Sequence, residues 1–180
     1  MIDAQTIRRV TTIKIGRETG NTQYDPVSGH IFANSQADAE LVEIDPASDT
    51  VVARIPLPGA RGNHGLLIDG LARLAYIACE GNDTLLVLDL QSRRIRSTFD
   101  VAADPDVLAF DRTTGVLYVA GEAGIVSVFR VADGKIAKLA EGFLGSNAHV
   151  VAVDPATHLA YFPLKEVGGR SVLRVTALRK

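Results

Sequence analysis

Four times along this chain an aspartate closes an apolar segment, and an aromatic residue follows it seven positions later. The aspartates are Asp25, Asp69, Asp111 and Asp154, spaced by 44, 42 and 43 residues; Phe32, Tyr76, Tyr118 and Tyr161 keep the same intervals. A unit of about 43 residues, if it holds several strands, is too small to bury both of its faces alone. It must stack against copies of itself, and a period of this length is what propeller blades show.

Within each unit the apolar segments are short and alternate with Gly, Asn, Asp and Pro. In the second unit the spacing predicts strands over 65–68, 74–78, 85–89 and 95–99. No segment sustains an apolar 3.6-residue period, so no helix is expected. Asp25-Pro26-Val27-Ser28-Gly29, Asp111-Arg112-Thr113-Thr114-Gly115 and Asp154-Pro155-Ala156-Thr157-His158 read as turns between the first two strands. There the Asp carboxylate can accept bonds from backbone N–H groups two residues on, so these aspartates are turn formers before anything else. The expected organisation is one all-β domain over 1–180, with units near 17–59, 60–102, 103–145 and 146–180. The last unit supplies three strands, and the amino-terminal segment 7–15 has the pattern of an outer strand that could complete it near 172–177. Four units leave three arrangements open: a four-bladed ring, a half-ring that pairs with a second copy, or part of a longer propeller.

Charge argues against a nucleic-acid surface. Lys plus Arg number 19 and Asp plus Glu 21, and the one basic run, Arg93-Arg94-Arg96, falls at a hairpin where a solvated edge is expected. The single cysteine, Cys79, sits in the apolar run Ala75-Tyr76-Ile77-Ala78-Cys79 and reads as a small core residue. No stretch of 18 apolar residues would span a membrane, and Met1–Gln5 lacks the features of an export leader. The expectation from the residues themselves is a cytoplasmic protein.

The segment Phe32-Ala33-Asn34, continuing through Leu41-Val42-Glu43-Ile44-Asp45-Pro46 to Gly59, resembles a YVTN-type repeat. Leu117-Tyr118-Val119-Ala120-Gly121 is similar to the motif that names it, with Gly121 in place of the Asn. The likeness extends over nearly the whole chain. It implies a bacterial or archaeal β-propeller, commonly periplasmic or at the cell surface, with no particular reaction attached.

In a propeller the first strand of each blade lines the axis, and its start shares one rim with the turn after the second strand. Five residues before each turn aspartate stand Gly20, His64, Asp106 and His149; eleven residues after it stand Gln36, Glu80, Glu122 and Lys165. The fold would therefore gather His64, Asp106 and His149 as candidate ligands of a divalent metal ion. Asn63, Glu80, Glu122, Asn147 and Lys165 are candidates for binding a small-molecule or protein ligand beside them. His30 and His158 fall on the opposite rim and are expected to be solvated turn residues. No nucleophile motif, phosphate-binding glycine loop or cysteine pair is present. The leading expectation is a non-enzymatic binding propeller. The alternatives are a metal-dependent hydrolase or lactonase using His64, Asp106 and His149, and a structural half-propeller that forms a homodimer.

Overall fold

A computed structural model describes residues 2–3 and 8–178. Strands β1 (Ile2–Asp3) and β2 (Arg8–Arg9) pair with each other, and four antiparallel sheets follow in chain order. The first holds β3 (Thr19–Asp25), β4 (His30–Ser35), β5 (Glu40–Asp45) and β6 (Thr50–Pro56). The second holds β7 (Asn63–Asp69), β8 (Leu74–Cys79), β9 (Thr84–Asp89) and β10 (Arg94–Asp100). The third holds β11 (Pro105–Asp111), β12 (Val116–Gly121), β13 (Ile125–Ala132) and β14 (Lys135–Phe143). The fourth has three strands, β15 (Ala152–Asp154), β16 (Leu159–Val167) and β17 (Arg170–Thr176). Every sheet is a meander, and there is no helix among the described residues.

The inner strands pack in succession: β3 on β7, β7 on β11, β11 on β15. This is the radial order of propeller blades. Its cause is the strand pattern, because the central strands β8 and β12 are apolar on both faces and every residue in them is buried. Alternate side chains face opposite neighbours. Ala75, Ile77 and Cys79 join Phe32, Leu41, Ile55 and Leu57 of the first sheet, while Leu74, Tyr76 and Ala78 join Leu117, Val119 and Phe129 of the third. Val116, Tyr118 and Ala120 in turn meet Ala160, Phe162 and Leu164 of the fourth. Each fully buried Leu or Ile contributes about 1.5–3 kcal/mol relative to exposure.

The turn aspartates do form the turns, and they also tie the sheets together. Asp25 accepts bonds from Val27 N at 3.0 Å and Ser28 Oγ at 2.7 Å, and Asp111 likewise from Thr113 N at 3.1 Å and Thr114 Oγ1 at 2.7 Å. Each of the first three is also bonded by a side chain of the next sheet: Arg73 reaches Asp25, Arg112 reaches Asp69, and His158 reaches Asp111. Arg73 and His158 reach back from left-handed backbone, with φ of 55° and 60°, at the turn position that Gly29 and Gly115 fill in the first and third sheets. A non-glycine residue there costs about 1–2 kcal/mol, and the bond to a buried carboxylate offsets it. In the third sheet, with Gly115 at that position, the cation comes instead from Arg112. His158 stays in its turn and is exposed, and it links the two sheets as well. His30 instead begins β4 and is half-buried, with Nδ1 2.7 Å from Glu43 Oε1. Arg93 is exposed at its hairpin, as expected, and its guanidinium also bonds the same Glu43 at 2.9 Å.

Residues 10–18 differ from expectation. They form no strand, and β17 pairs with β16 alone among the described residues. Ile7, the first residue of the expected strand, lies outside the described residues. Ile13 and Ile15 pack instead on Ala33, Val42 and Ile44 of the first sheet, and Arg54 Nη1 donates to Ile15 O at 2.8 Å. The reason is spatial. The four sheets form an open arc in which the first and fourth share no strand packing like that between neighbours, so β17 is out of reach and the nearer apolar face is covered.

Candidate functional site

The inner strands carry the same irregularity at the same end. The pairing of β7 with β8 slips between Asn63 and Gly65, and that of β11 with β12 slips between Pro105 and Val107. His64 and Asp106 are therefore the extra residues of two equivalent bulges. A bulge frees a side chain from the alternation of its strand and turns it toward the strand's end. Glu80 and Glu122 follow directly on β8 and β12, and the same backbone bond anchors each: Glu80 N to Gly62 O and Glu122 N to Asp104 O, both 2.9 Å. The fourth sheet departs from this plan, because His149 precedes β15 by three residues instead of lying within it.

Side chains distant in sequence thus meet on one rim. One donor atom each from His64, Glu80 and Asp106 lie within 4.8 Å of one another, and so do donors from Asp106, Glu122 and His149. Asp106 belongs to both sets; the two imidazoles share neither.

The sets differ in how their polar groups are satisfied. His64 Nδ1 stands 3.3 Å from Glu80 Oε1 and 3.1 Å from Gln36 Nε2, and its Nε2 is 3.3 Å from Asp106 Oδ1. That ring is held on both sides. Among the described residues, no hydrogen bond or ion pair joins Asp106, Glu122 and His149 to one another, and His149 Nδ1 is buried without a partner. Burial pushes the Glu80 carboxyl above its ordinary range; Asp106, Glu122 and Asp104 add to the shift, and His64 opposes it. The local excess of carboxylate is what a cation would relieve.

The remaining candidates fall into two groups. Asn63 is buried within the scaffold, donating to Glu40 O at 3.1 Å and Asn34 Oδ1 at 3.3 Å. Asn34 in turn donates to His64 O at 3.0 Å and Gly65 O at 3.1 Å, so this pair tethers the first two sheets beneath the rim. Asn147 and Lys165 join His149, Val150 and Pro163 around a cavity of about 310 Å³. Asn147 has φ of 59°, matching Gly62 at 59° and Asp104 at 53° in the equivalent turns. Cys79 is buried and its thiol is pushed up to about 11 by burial, so it takes no part.

Sequence spacing located these residues because equivalent positions of stacked repeats must converge. It missed Gln36 as a partner of His64, although Gln36 holds the Glu80 position of the first unit. It also missed Asp104, which stands beside the same cluster.

No protein-family profile and no curated protein sequence matches this chain. Solved structures do. Kuenenia stuttgartiensis hydrazine synthase superposes with a TM-score of 0.70 at 16% identity, over 86% of this chain and 48% of that one. A putative 6-phosphogluconolactonase from Bacteroides uniformis gives 0.70 at 14%, over 89% and 55%, and the U3-55K structure gives 0.65 at 18%, over 86% and 51%. At such identities the likeness concerns the fold alone, and the fold is a β-propeller. The chain spans about half the length of the structures it matches.

Proposed function

We propose that this β-propeller binds a ligand at the rim where its inner strands begin, and that the ligand in first contact with the protein is a divalent cation held by Asp106, Glu122 and His149. One observation carries this reading: an imidazole and two carboxylates from adjacent blades converge within 4.8 Å without bonding one another, and one buried imidazole nitrogen has no partner. One nitrogen and two oxygen donors suit Zn²⁺ or Mn²⁺. A cation with three protein ligands keeps positions open, and the neighbouring cavity with Lys165 and Asn147 has room for a small anionic molecule to fill them. In this reading His64 is a positioning residue that holds Asp106 in place. The YVTN-like repeat is consistent with a scaffold whose rim, rather than its blades, carries the function.

Calorimetric titration of Zn²⁺ and of Mn²⁺ into chelator-treated protein tests this. One site is expected; His149→Ala and Glu122→Gln should each weaken it ten-fold or more, and His64→Ala less. An absence of heat with both cations would end the proposal. The hydrolase or lactonase alternative draws on Glu80, whose raised carboxyl could accept a proton from an attacking water. It predicts turnover of a simple lactone or ester that Glu80→Gln abolishes. Cation binding without turnover decides for the binding reading.

A further inference from the structure

Each of the first three sheets presents one face to the sheet that follows it, and among the described residues no sheet lies on that face of the fourth. Leu41, Leu85 and Val126 occupy one register position in the third strands of the first three sheets and are 0%, 0% and 6% exposed; Leu173 holds that position in the fourth and is 61% exposed. Val87 is 1% exposed, whereas its counterpart Val175 is 48% exposed. The aromatic of the repeat follows the same course: Phe32, Tyr76 and Tyr118 are buried, and Tyr161 is half-exposed. The fourth sheet also lacks an outer strand, which leaves β17 as an unpaired edge.

On the first sheet, residues 10–16 take the place that the outer strand of a preceding sheet takes elsewhere in the chain. Their exposure alternates residue by residue, as in β6 and β10. Ile13 and Ile15 pack on the first sheet, much as Phe99 of β10 packs on Phe129 of the third, with ring centroids 5.4 Å apart. Arg54 donates to Ile15 O just as Lys138 donates to Asp100 O and Arg174 to Leu144 O, each a cation of one sheet bonding the outer segment of the sheet before it.

We infer that the open face and edge of the fourth sheet receive the first sheet of a second copy, whose residues 10–16 pair with β17 as its missing fourth strand. The fourth sheet has three described strands, and residues 10–16 lie on the face of the first sheet as an outer strand would. Joined reciprocally, two copies close a ring of eight sheets about a two-fold axis, within the four to eight blades that propellers adopt. The occupant is a copy rather than an unrelated sheet because the interface continues the one already repeated three times inside the chain. One element is missing from the seam. Asp154 bonds its own turn, at 2.9 Å from Ala156 N and 2.6 Å from Thr157 Oγ1, and the first sheet has Pro26 and Gly29 where the others place a side chain that reaches back. The seam therefore rests on apolar contact and strand pairing, and is weaker than the joints within a chain.

Sedimentation velocity over a range of concentrations tests the inference. The expected result is a reversible dimer, reduced to monomer by Leu173→Asp together with Val175→Asp. Both side chains are exposed within one chain, so the double variant should keep its fold, which circular dichroism verifies. Carrying over the pairing of Thr98 with Leu86 and of Glu141 with Ser127 sets Thr12 beside Arg174. Thr12→Cys combined with Arg174→Cys should accordingly yield a disulfide-linked dimer on a non-reducing gel. A monomer at all concentrations, an intrachain disulfide, open-ended polymers, or a dimer indifferent to the Leu173 and Val175 changes would each overturn it.

Discussion

Replacing Gly65 by alanine probes the joint on which both the fold and the rim depend. Gly65 sits one residue beyond His64, where β7 crosses closest to β11. A Cβ at this position would stand 2.0 Å from the backbone oxygen of Asp106, 2.7 Å from Leu108 Cδ1 and 2.9 Å from Ala78 Cβ. Ordinary contact begins at 3.4 Å, so the two backbones must part by about 1.4 Å. Neither can do so freely, since β7 is bonded to β8 and β11 to β12. One extra methyl in a packed core costs typically about 1–3 kcal/mol. Here the nearest obstacle is a main-chain oxygen held in a bonded strand, which places the loss near the upper end, about 3 kcal/mol. For a domain of this size that corresponds to a fall in Tm of roughly 6–12 °C.

The assay is urea unfolding followed by far-ultraviolet circular dichroism, with Gly142→Ala as the control. Gly142 lies in β14, has an ordinary φ and no atom within 4 Å of an added Cβ, so that change should be neutral or stabilising by up to about 1 kcal/mol. Separating β7 from β11 also pulls His64 away from Asp106, so the Gly65 variant should bind a cation more weakly even where it remains folded. If Gly65→Ala is as stable as the parent, the inner strands do not meet as described, and the approach of His64 to Asp106 falls with them.

Two further outcomes follow from the inter-sheet ion pairs. Arg73→Ala leaves the buried Asp25 carboxylate without its cation and should destabilise by roughly 2–3 kcal/mol in the same assay; a change below about 0.5 kcal/mol, the range of ordinary surface substitutions, would show that the pair is ornamental. Stability should also fall on acidification. Burial opposes ionisation of Asp25 and of Asp111, but bonds from Arg73, Ser28 and Val27 to the first, and from Thr114 and His158 to the second, outweigh it and lower both carboxyls. A group whose folded pKa is depressed stabilises fully above its unfolded value, here near 3.8, and that contribution is lost as pH drops through the folded one. Thermal melts should therefore be level near neutrality and decline below about pH 4, with a smaller decline in Arg73→Ala, where that cation no longer lowers the Asp25 carboxyl.

What the sequence disclosed, and what it withheld, divides along a physical line. The period of Asp25, Asp69, Asp111 and Asp154 was legible because each residue acts within its own turn, and the strands between them because alternation is local. Convergence of His64, Asp106 and Glu80 was legible because stacking identical units brings equivalent positions together whatever the angle between units. Features set by that angle were not. Whether four sheets close depends on the rotation from one sheet to the next, which rests on side-chain volumes such as those of Tyr76, Phe110 and Phe129 and leaves no periodic mark. The side chains that reach back to the turn aspartates were hidden for a different reason, since Arg73 and His158 stand four residues after their own aspartate but Arg112 only one. A signal did exist: Arg73 and His158 occupy a left-handed turn position that two other units give to glycine, and a bulky side chain at that position calls for a partner strong enough to offset its strain. The rim obeys neither constraint. His64 and Asp106 are bulge residues outside the strand ladder, while Glu80 and Glu122 sit just beyond it, so the packing that specifies the blades places few demands on their chemistry. The same separation that made the fold readable from its repeat left the identity of the ligand to four or five side chains that the repeat does not need.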